Sequence, residues 1–296
     1  MAVYQKKRKK SDPSYKKRTS KYFPLVRKLE VKPSAGPYAN PNSFIRVDKV
    51  MSEVNKRLYR QHMIYRSKVS INTSSATQAH INVYALAPSW FVLNALRKAK
   101  ETFDDVTADE LEQMGRARWH DFRISLGGAL DNGNELSASL AIGGATGTSS
   151  SYSNEYRMSD ILCSDGNTRT FVLNGASSTS QWNVIEEYDR MGNTPEAAGS
   201  GLGGYTNAQE SVDNANVQEL QGDGDQAPYD DHMTNIFVKV GEIYRDTNGN
   251  QSFTTGYFDA PLGLIWLEGL DPNIHTDGVQ LEIAAGSYKG VDAHGL

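Results

Sequence analysis

From Tyr59 to Ile71 the odd positions carry Tyr59, Met63, Tyr65, Val69 and Ile71, and the even ones Arg60, His62, Arg66 and Lys68. Side chains alternate across a strand, so this pattern predicts a strand from residue 58 onward, apolar on one face and basic on the other. Val50, Val54 and Leu58 recur every four residues and leave a helix open for the stretch before it. Ile81, Val83 and Ala85 predict a second strand. Residues 89–115 form the one convincing helical stretch, with Leu93, Leu96, Ala99 and Phe103 at helical spacing. Thr107 and Glu110 read as a capping box, and Gly115 as a stop. Arg116–Leu126 then returns to strand character through Trp119, Phe122 and Ile124.

Further strands are expected at Leu136–Ile142, Tyr156–Cys163, Arg169–Leu173, Gln181–Glu187, Asn235–Tyr244, Ser252–Phe258, Leu262–Leu267 and Val279–Ala284. Asn248-Gly249 is a hairpin signal between two of them. Short strands, turn chemistry and one helical insertion predict an all-β sandwich. Gly143–Asn154 (GGATGTSSSYSN) reads as a small-residue surface loop. Residues 192–231, rich in Gly, Asn, Asp and Glu, read as a long loop, functional or mobile.

A chain of 296 residues is long enough to bury a sizeable core. No apolar run reaches the ~18 residues of a membrane span, so no membrane partner is expected. The opening MAVYQKKRKK has no apolar run after its charges, so no secretory leader is expected. Cys163 is the only cysteine, which excludes an internal disulfide.

Charge changes the picture most. The net charge of −4 averages two opposite halves. Residues 1–32 hold twelve basic and two acidic residues, a net +10, and counting to Lys68 gives +15. Residues 69–296 carry −19. This divides the chain into a basic arm at 1–45, expected to be disordered, and a folded body at 46–296. Pro13, Pro24, Pro33, Pro37 and Pro41 interrupt the arm and oppose helix and sheet. Its cations Lys6, Lys7, Arg8, Lys9, Lys10, Lys16, Lys17, Arg18, Lys21, Arg27 and Lys28 suit phosphates, through counterion release without sequence preference. Tyr4, Tyr15, Tyr22 and Phe23 supply faces on which unpaired bases stack. Arg60, Arg66 and Lys68 would extend that positive surface onto a folded wall. A nuclear-import address or a membrane-surface tail is the plainer use of the same lysines.

Other chemistry is thin. Gly199, Gly201 and Gly204 match a dinucleotide fingerprint but lack the flanking strand and helix. Asp223, Asp225, Asp230 and Asp231 offer hard oxygen ligands for Ca²⁺, or simply a solvated acidic loop. Asp246, Asn248 and Asn250 open like a calcium loop, but Gln251 and Tyr257 stand where Gly and Glu are required. The six histidines are dispersed and read as structural or surface groups. There is no nucleophile elbow and no phosphate loop. Glu186 and Glu187, adjacent in a strand, would point to opposite faces. No enzyme, cofactor or metal is assigned.

A Lys/Arg-rich start, MAVYQKKRKKSDPSYKKRTSK, leading into a β body with the late run YFDAPLGLIWLEG (257–269), resembles capsid proteins of circular Rep-encoding single-stranded DNA viruses. The resemblance implies a single viral jelly-roll β-sandwich with a helical insertion, closing by symmetry into an icosahedral shell of about sixty copies. The arms would face the interior, and at +10 each neutralise about 600 phosphates. It also implies single-stranded DNA as cargo, the virion as the site of residence, and the host nucleus and its import machinery during assembly. Deleting residues 1–32 is expected to abolish packaging and leave the body folded. An RNA-virus coat of the same architecture, and a lectin-like sandwich with a nuclear-targeting tail, are the alternatives.

Overall fold

The computed structural model describes residues 25–33, 42–71, 79–114, 120–127, 135–142, 145–148, 158–192, 236–245, 251–269 and 279–296. Its elements in chain order are β1 (Lys28–Pro33), β2 (Asn42–Arg46), α1 (Val47–Asn55), β3 (Met63–Ile71), β4 (Ala79–Leu86), α2 (Trp90–Met114), β5 (Glu135–Ile142), β6 (Ala145–Thr148), β7 (Asp160–Leu162), β8 (Thr168–Val172), β9 (Gln181–Asn183), α3 (Val184–Gly192), β10 (Phe237–Arg245), β11 (Gln251–Ser252), β12 (Thr254–Pro261), β13 (Leu264–Glu268), β14 (Val279–Ile283) and β15 (Ala293–Gly295). The fold is mostly β, as expected.

The long sheet runs β11-β10-β4-β13-β2-β5-β1-β14-β3-β12, with β6 added on β5 and β15 on β3. β5 lies antiparallel to β1 and parallel to β2, and so joins two leaves. One leaf is β1-β14-β3-β12 and the other is β10-β4-β13-β2. The sheet curls into a half-barrel. β12 packs across β10 and β4, where a Cβ on Gly241 would stand 3.0 Å from that of Thr255. Between the leaves lies the inner core, built by Leu29 and Val31, Tyr65 and Val69, Ile81 and Val83, Ile265 and Leu267, and Val279, Leu281 and Ile283. Each set recurs at period two, which is why these segments are strands.

A second core covers the outer side of β2 and β13. The segment between β4 and β10 supplies it: Phe91, Leu96 and Phe103 of α2, Val184 and Ile185 at the start of α3, and Phe171 of the three-stranded sheet β7-β8-β9. β2 therefore buries Phe44 on one side and Ile45 on the other. β13 does the same with Leu264 and Ile265, which explains its unbroken apolar run.

Local chemistry sets the element ends, and several expectations are corrected there. α2 begins where the Ser89 hydroxyl accepts the Val92 N–H at 3.3 Å, and it runs unbroken through Thr107. Thr107 is no cap: its hydroxyl donates to the Phe103 carbonyl at 2.7 Å, within the helix. Gln181–Glu187 is not one strand. The Asn183 side-chain oxygen accepts the N–H groups of Ile185 and Glu186 at 2.9 and 3.2 Å, capping α3, so Glu186 and Glu187 sit on a helix. Val50 belongs to α1, the helical alternative for that stretch. Residues 120–127 form no strand, only an isolated Ser125–Val172 bridge to the small sheet beside the Phe122–Phe171 ring contact, so the strand expected at Arg116–Leu126 is absent among the described residues of that stretch. Within the expected small-residue loop, Ala145–Thr148 forms β6 against β5.

The largest correction concerns the arm. Lys28–Pro33 is an interior strand, paired on one side with β14 and on the other with β5. Asn42–Arg46 pairs with β13. The expected disorder therefore fails over these segments, because Leu29, Val31, Phe44 and Ile45 are buried and repay the ordering of the backbone. Deleting residues 1–32 would remove β1, so the truncation expected to spare the body must stop before Leu25.

The chain crosses from β12 to β13 through Leu262 and Gly263, both at positive φ (56° and 63°), with the Gly263 N–H donating to the Ala260 carbonyl at 3.1 Å. A Cβ on Gly263 would lie 3.1 Å from both the Tyr65 ring and Val47 Cβ. Gly263→Ala is expected to destabilise the fold by about 1–3 kcal/mol, read as a lower midpoint in urea unfolding. An unchanged midpoint would mean that this corner relaxes freely.

Candidate nucleic-acid interface

Of the expected contact residues, Lys6, Lys7, Arg8, Lys9, Lys10, Lys16, Lys17, Arg18 and Lys21 lie outside the described residues, as do the glycines at 199–204 and the aspartates at 223–231. Arg27, Lys28, Arg60, Arg66 and Lys68 are described. The structure brings Lys28 and Lys68 into one row across the outer face of the first leaf. The register aligns Lys28 with Glu282, Glu282 with Lys68, and Lys68 with Tyr257. Lys68 Nζ lies 2.9 Å from Glu282 Oε2, and the Tyr257 hydroxyl donates to Glu282 Oε1 at 2.7 Å. Lys68 Nζ also stands 5.0 Å from the centre of the Tyr257 ring. The hydrogen bonds from Tyr257 and Lys68 hold the Glu282 carboxyl below its usual range, and the bond to Glu282 raises Lys68 above its own.

Arg66 is exposed on the same strand, opposite Asp259 of β12. Arg27 is exposed just before β1, and its carbonyl accepts the Ile283 N–H. The alternation read from the sequence is present, with Tyr59, Tyr65 and Val69 fully buried and Arg60 and Arg66 exposed. The face is not uniformly basic, however. Glu282 and Asp259 arrive on strands distant in sequence, and Glu30 of β1 aligns with Gln280. Tyr257 and Glu282 are the members of this row that the sequence did not single out, because only cross-strand register brings them to Lys68.

Arg60 stands apart from that row. Its Nη1 lies 3.7 Å from Asp121 Oδ1, and His62 Nδ1 lies 3.3 Å from the same oxygen. The Gln61 N–H donates to Asp121 Oδ2 at 3.2 Å, and the Gln61 side chain exchanges two hydrogen bonds with the backbone of Ile124. These contacts tie the 120–127 segment to the start of β3. Beneath them Arg46, Asp48, Asp121 and Arg123 are buried together. Burial, opposed by the Arg46 guanidinium, raises the Asp48 carboxyl to about 7, and the neighbouring Asp121 adds to the rise. Among the described residues no group of three His, Cys, Asp or Glu side chains converges as a metal ion requires. His120 stacks on Phe103 at 5.4 Å, a structural use. No helix among the described residues is long and apolar enough to cross a membrane.

The buried carboxyl makes a pH prediction. Unfolded Asp48 ionises near its ordinary value of 3.8, whereas in the fold it keeps its proton to about 7. Its contribution is therefore fully present below pH ~4 and lost as pH rises to ~7. Relative to Asp48→Asn, the wild-type protein is expected to lose up to about 1.4 kcal/mol per pH unit across that window, measured by urea unfolding at several pH values. Parallel curves for the two proteins would refute this account of the cluster. Compared with models of protein families, curated proteins and solved structures, the chain matches none.

Proposed function

We propose that this chain is a viral coat protein that assembles into a closed icosahedral shell and packages single-stranded DNA through its basic arm. The observation that carries this reading is the connectivity of the two leaves. β1, β3, β12 and β14 belong to one, and β2, β4, β10 and β13 to the other. Along the chain, β1 to β4 alternate between leaves, β4 is followed by its neighbour β10, and β12 to β14 alternate again. We read eight strands so wound as the two interlocked Greek keys of a jelly roll. The segment between β4 and β10 is then the helical insertion.

Jelly rolls also serve lectins and cupins, so the fold alone does not choose among them. Two features favour a coat. Among the described residues, the space between the leaves is lined by a continuous apolar cluster. The residues before Leu25 carry nine cations against one acid, Asp12, and they continue directly into β1, an interior strand of one leaf. The folded face, with its interleaved acids, is left nearly balanced, so the arm supplies most of the affinity for phosphate. No covalent chemistry is required. The insertion exposes Trp90 at 72%, Leu162 at 70% and Val106 at 52%, apolar groups suited to contacts between subunits. The same lysines serve as a nuclear-import address before assembly.

Expressed full-length protein is expected to form uniform closed particles in negative stain, with a nucleic-acid absorbance that survives external nuclease. Digesting the extracted cargo with DNase or RNase then separates a DNA coat from an RNA one. Deleting residues 1–24 is expected to leave a folded protein without cargo. Normal cargo in that truncation, or a small soluble species at every salt concentration tried, would overturn the reading.

A further inference from the structure

Two short segments, distant in sequence, meet where the arm joins the body. The Val26 N–H donates to Asn55 Oδ1, and Asn55 Nδ2 donates back to the Val26 carbonyl, both at 3.0 Å. Leu25 packs over the turn at 288–291 so closely that a Cβ on Gly290 would lie 2.7 Å from Leu25 Cδ2. The place from which the arm departs is therefore fixed between the C-terminus of α1 and this turn.

That place is crowded with cations. Lys56 caps α1 in the left-handed conformation, and Arg57 follows, its N–H donating to the Ser52 carbonyl at 3.3 Å. Both side chains are exposed. Across from them, the exposed Lys289 sits at the tip of the turn, whose ends are joined by two hydrogen bonds between Tyr288 and Val291. Lys289 Nζ donates to the Leu58 carbonyl and lies 5.0 and 5.9 Å from the ring centres of Tyr288 and Tyr59. The Arg60 N–H donates to the Tyr288 hydroxyl at 3.3 Å. Arg60 has the buried Asp121 beside it, whereas no ion pair among the described residues joins Lys56, Arg57 or Lys289 to an acid. Burial lowers the Lys289 ammonium and the positive charge of Arg60 lowers it further; the Asp121 carboxylate opposes this, and Arg57 adds a smaller lowering. Like charges held together by the backbone are costly alone and relieved by an anion.

We propose that Lys56, Arg57 and Lys289 form a fixed phosphate-binding corner at the root of the arm, which takes the backbone of single-stranded nucleic acid, with the half-buried Tyr288 ring beside it for a base. The assignment rests on the nucleic-acid reading above and adds a rigid contact on the folded body, distinct from the row containing Lys68. A strand held by the arm then meets contacts on the folded body here. Arg60 belongs to the corner's field, but its charge is already engaged by Asp121.

The test uses full-length protein and a fluorescent oligo-dT of about twenty nucleotides, titrated over a range of salt. Lys56→Gln/Arg57→Gln/Lys289→Gln is compared with wild type and with Lys98→Gln/Lys100→Gln/Lys239→Gln, which removes the same charge from elsewhere on the surface. Loss of three phosphate contacts is expected to flatten the slope of log K against log salt by about 2 for the corner variant and to weaken binding about tenfold or more at physiological salt, with the control close to wild type. Circular dichroism checks the fold. Should the triple variant not fold, Arg57→Gln alone is expected to change the slope by about 0.7. Equal slopes for corner and control variants overturn the corner and leave the coat reading standing on its arm. Absence of any salt-dependent binding by wild type overturns both.

Discussion

The inward side chains of β1, β3, β12 and β14 are mainly apolar, with Ser67 a buried hydroxyl among them, and so are those of β2, β4, β10 and β13. Neither leaf is stable with that face in water, and for that face each leaf is the other's apolar partner. Closing the leaves on each other fixes the register of every strand, because a slip of one residue would turn the apolar set outward. It also decides what the outside looks like. On the leaf holding β2 and β13 the outer face is apolar as well, so a second layer must cover it, and the insertion with α2 and α3 does so. On the other leaf the outer positions are left to polar and charged groups.

Those outer charges answer to the same register. Lys68 faces Glu282, and Arg66 faces Asp259. Cross-strand pairs of opposite sign stabilise a sheet modestly, whereas like charges directly opposite destabilise it. A uniformly basic wall would oppose the pairing that builds the leaf. At the corner beside the root of the arm, Lys56, Arg57 and Lys289 lie outside the strands, where no cross-strand partner is needed. The buried Arg46, Asp48, Asp121 and Arg123 obey a different logic. Desolvating these groups is costly, and their neighbours Gln61 and Ile124 show what the site accomplishes: it locks the 120–127 segment of the insertion to the start of β3.

Alternation along a single strand is readable without any partner, which is why β3 and β4 are legible from residues such as Val69 and Ile81. The Asn248-Gly249 signal is matched by the antiparallel pairing of β10 and β11 on either side of it. What escaped depended on atoms outside the local window. β1 was hidden under proline and lysine, since Leu29 and Val31 become a strand only when β14 and β5 flank them. The Asn183 cap looked like another polar residue in an apolar run, and Thr107 imitated a cap inside a helix that Ser89 had already begun. The same holds for the interface. The lysines were visible from composition alone, whereas Glu282, which neutralises one of them, lies more than two hundred residues further along the chain.

On the proposed reading, joining the arm to a fixed cationic corner has a kinetic and energetic consequence. A nucleic-acid strand that first meets the arm would be bound largely by charge, each phosphate gained releasing counterions. The corner is joined to the arm through Leu25, so its contacts would form at the high effective concentration set by a short connection rather than at the bulk concentration of protein. Weak individual contacts would then add to one retained strand. Val26 and Asn55 matter here as much as the lysines: their paired hydrogen bonds hold the departure point against the C-terminus of α1, where the carbonyl end of the helix favours Lys56 and Arg57. Without that clamp the same charges would be present but would not converge.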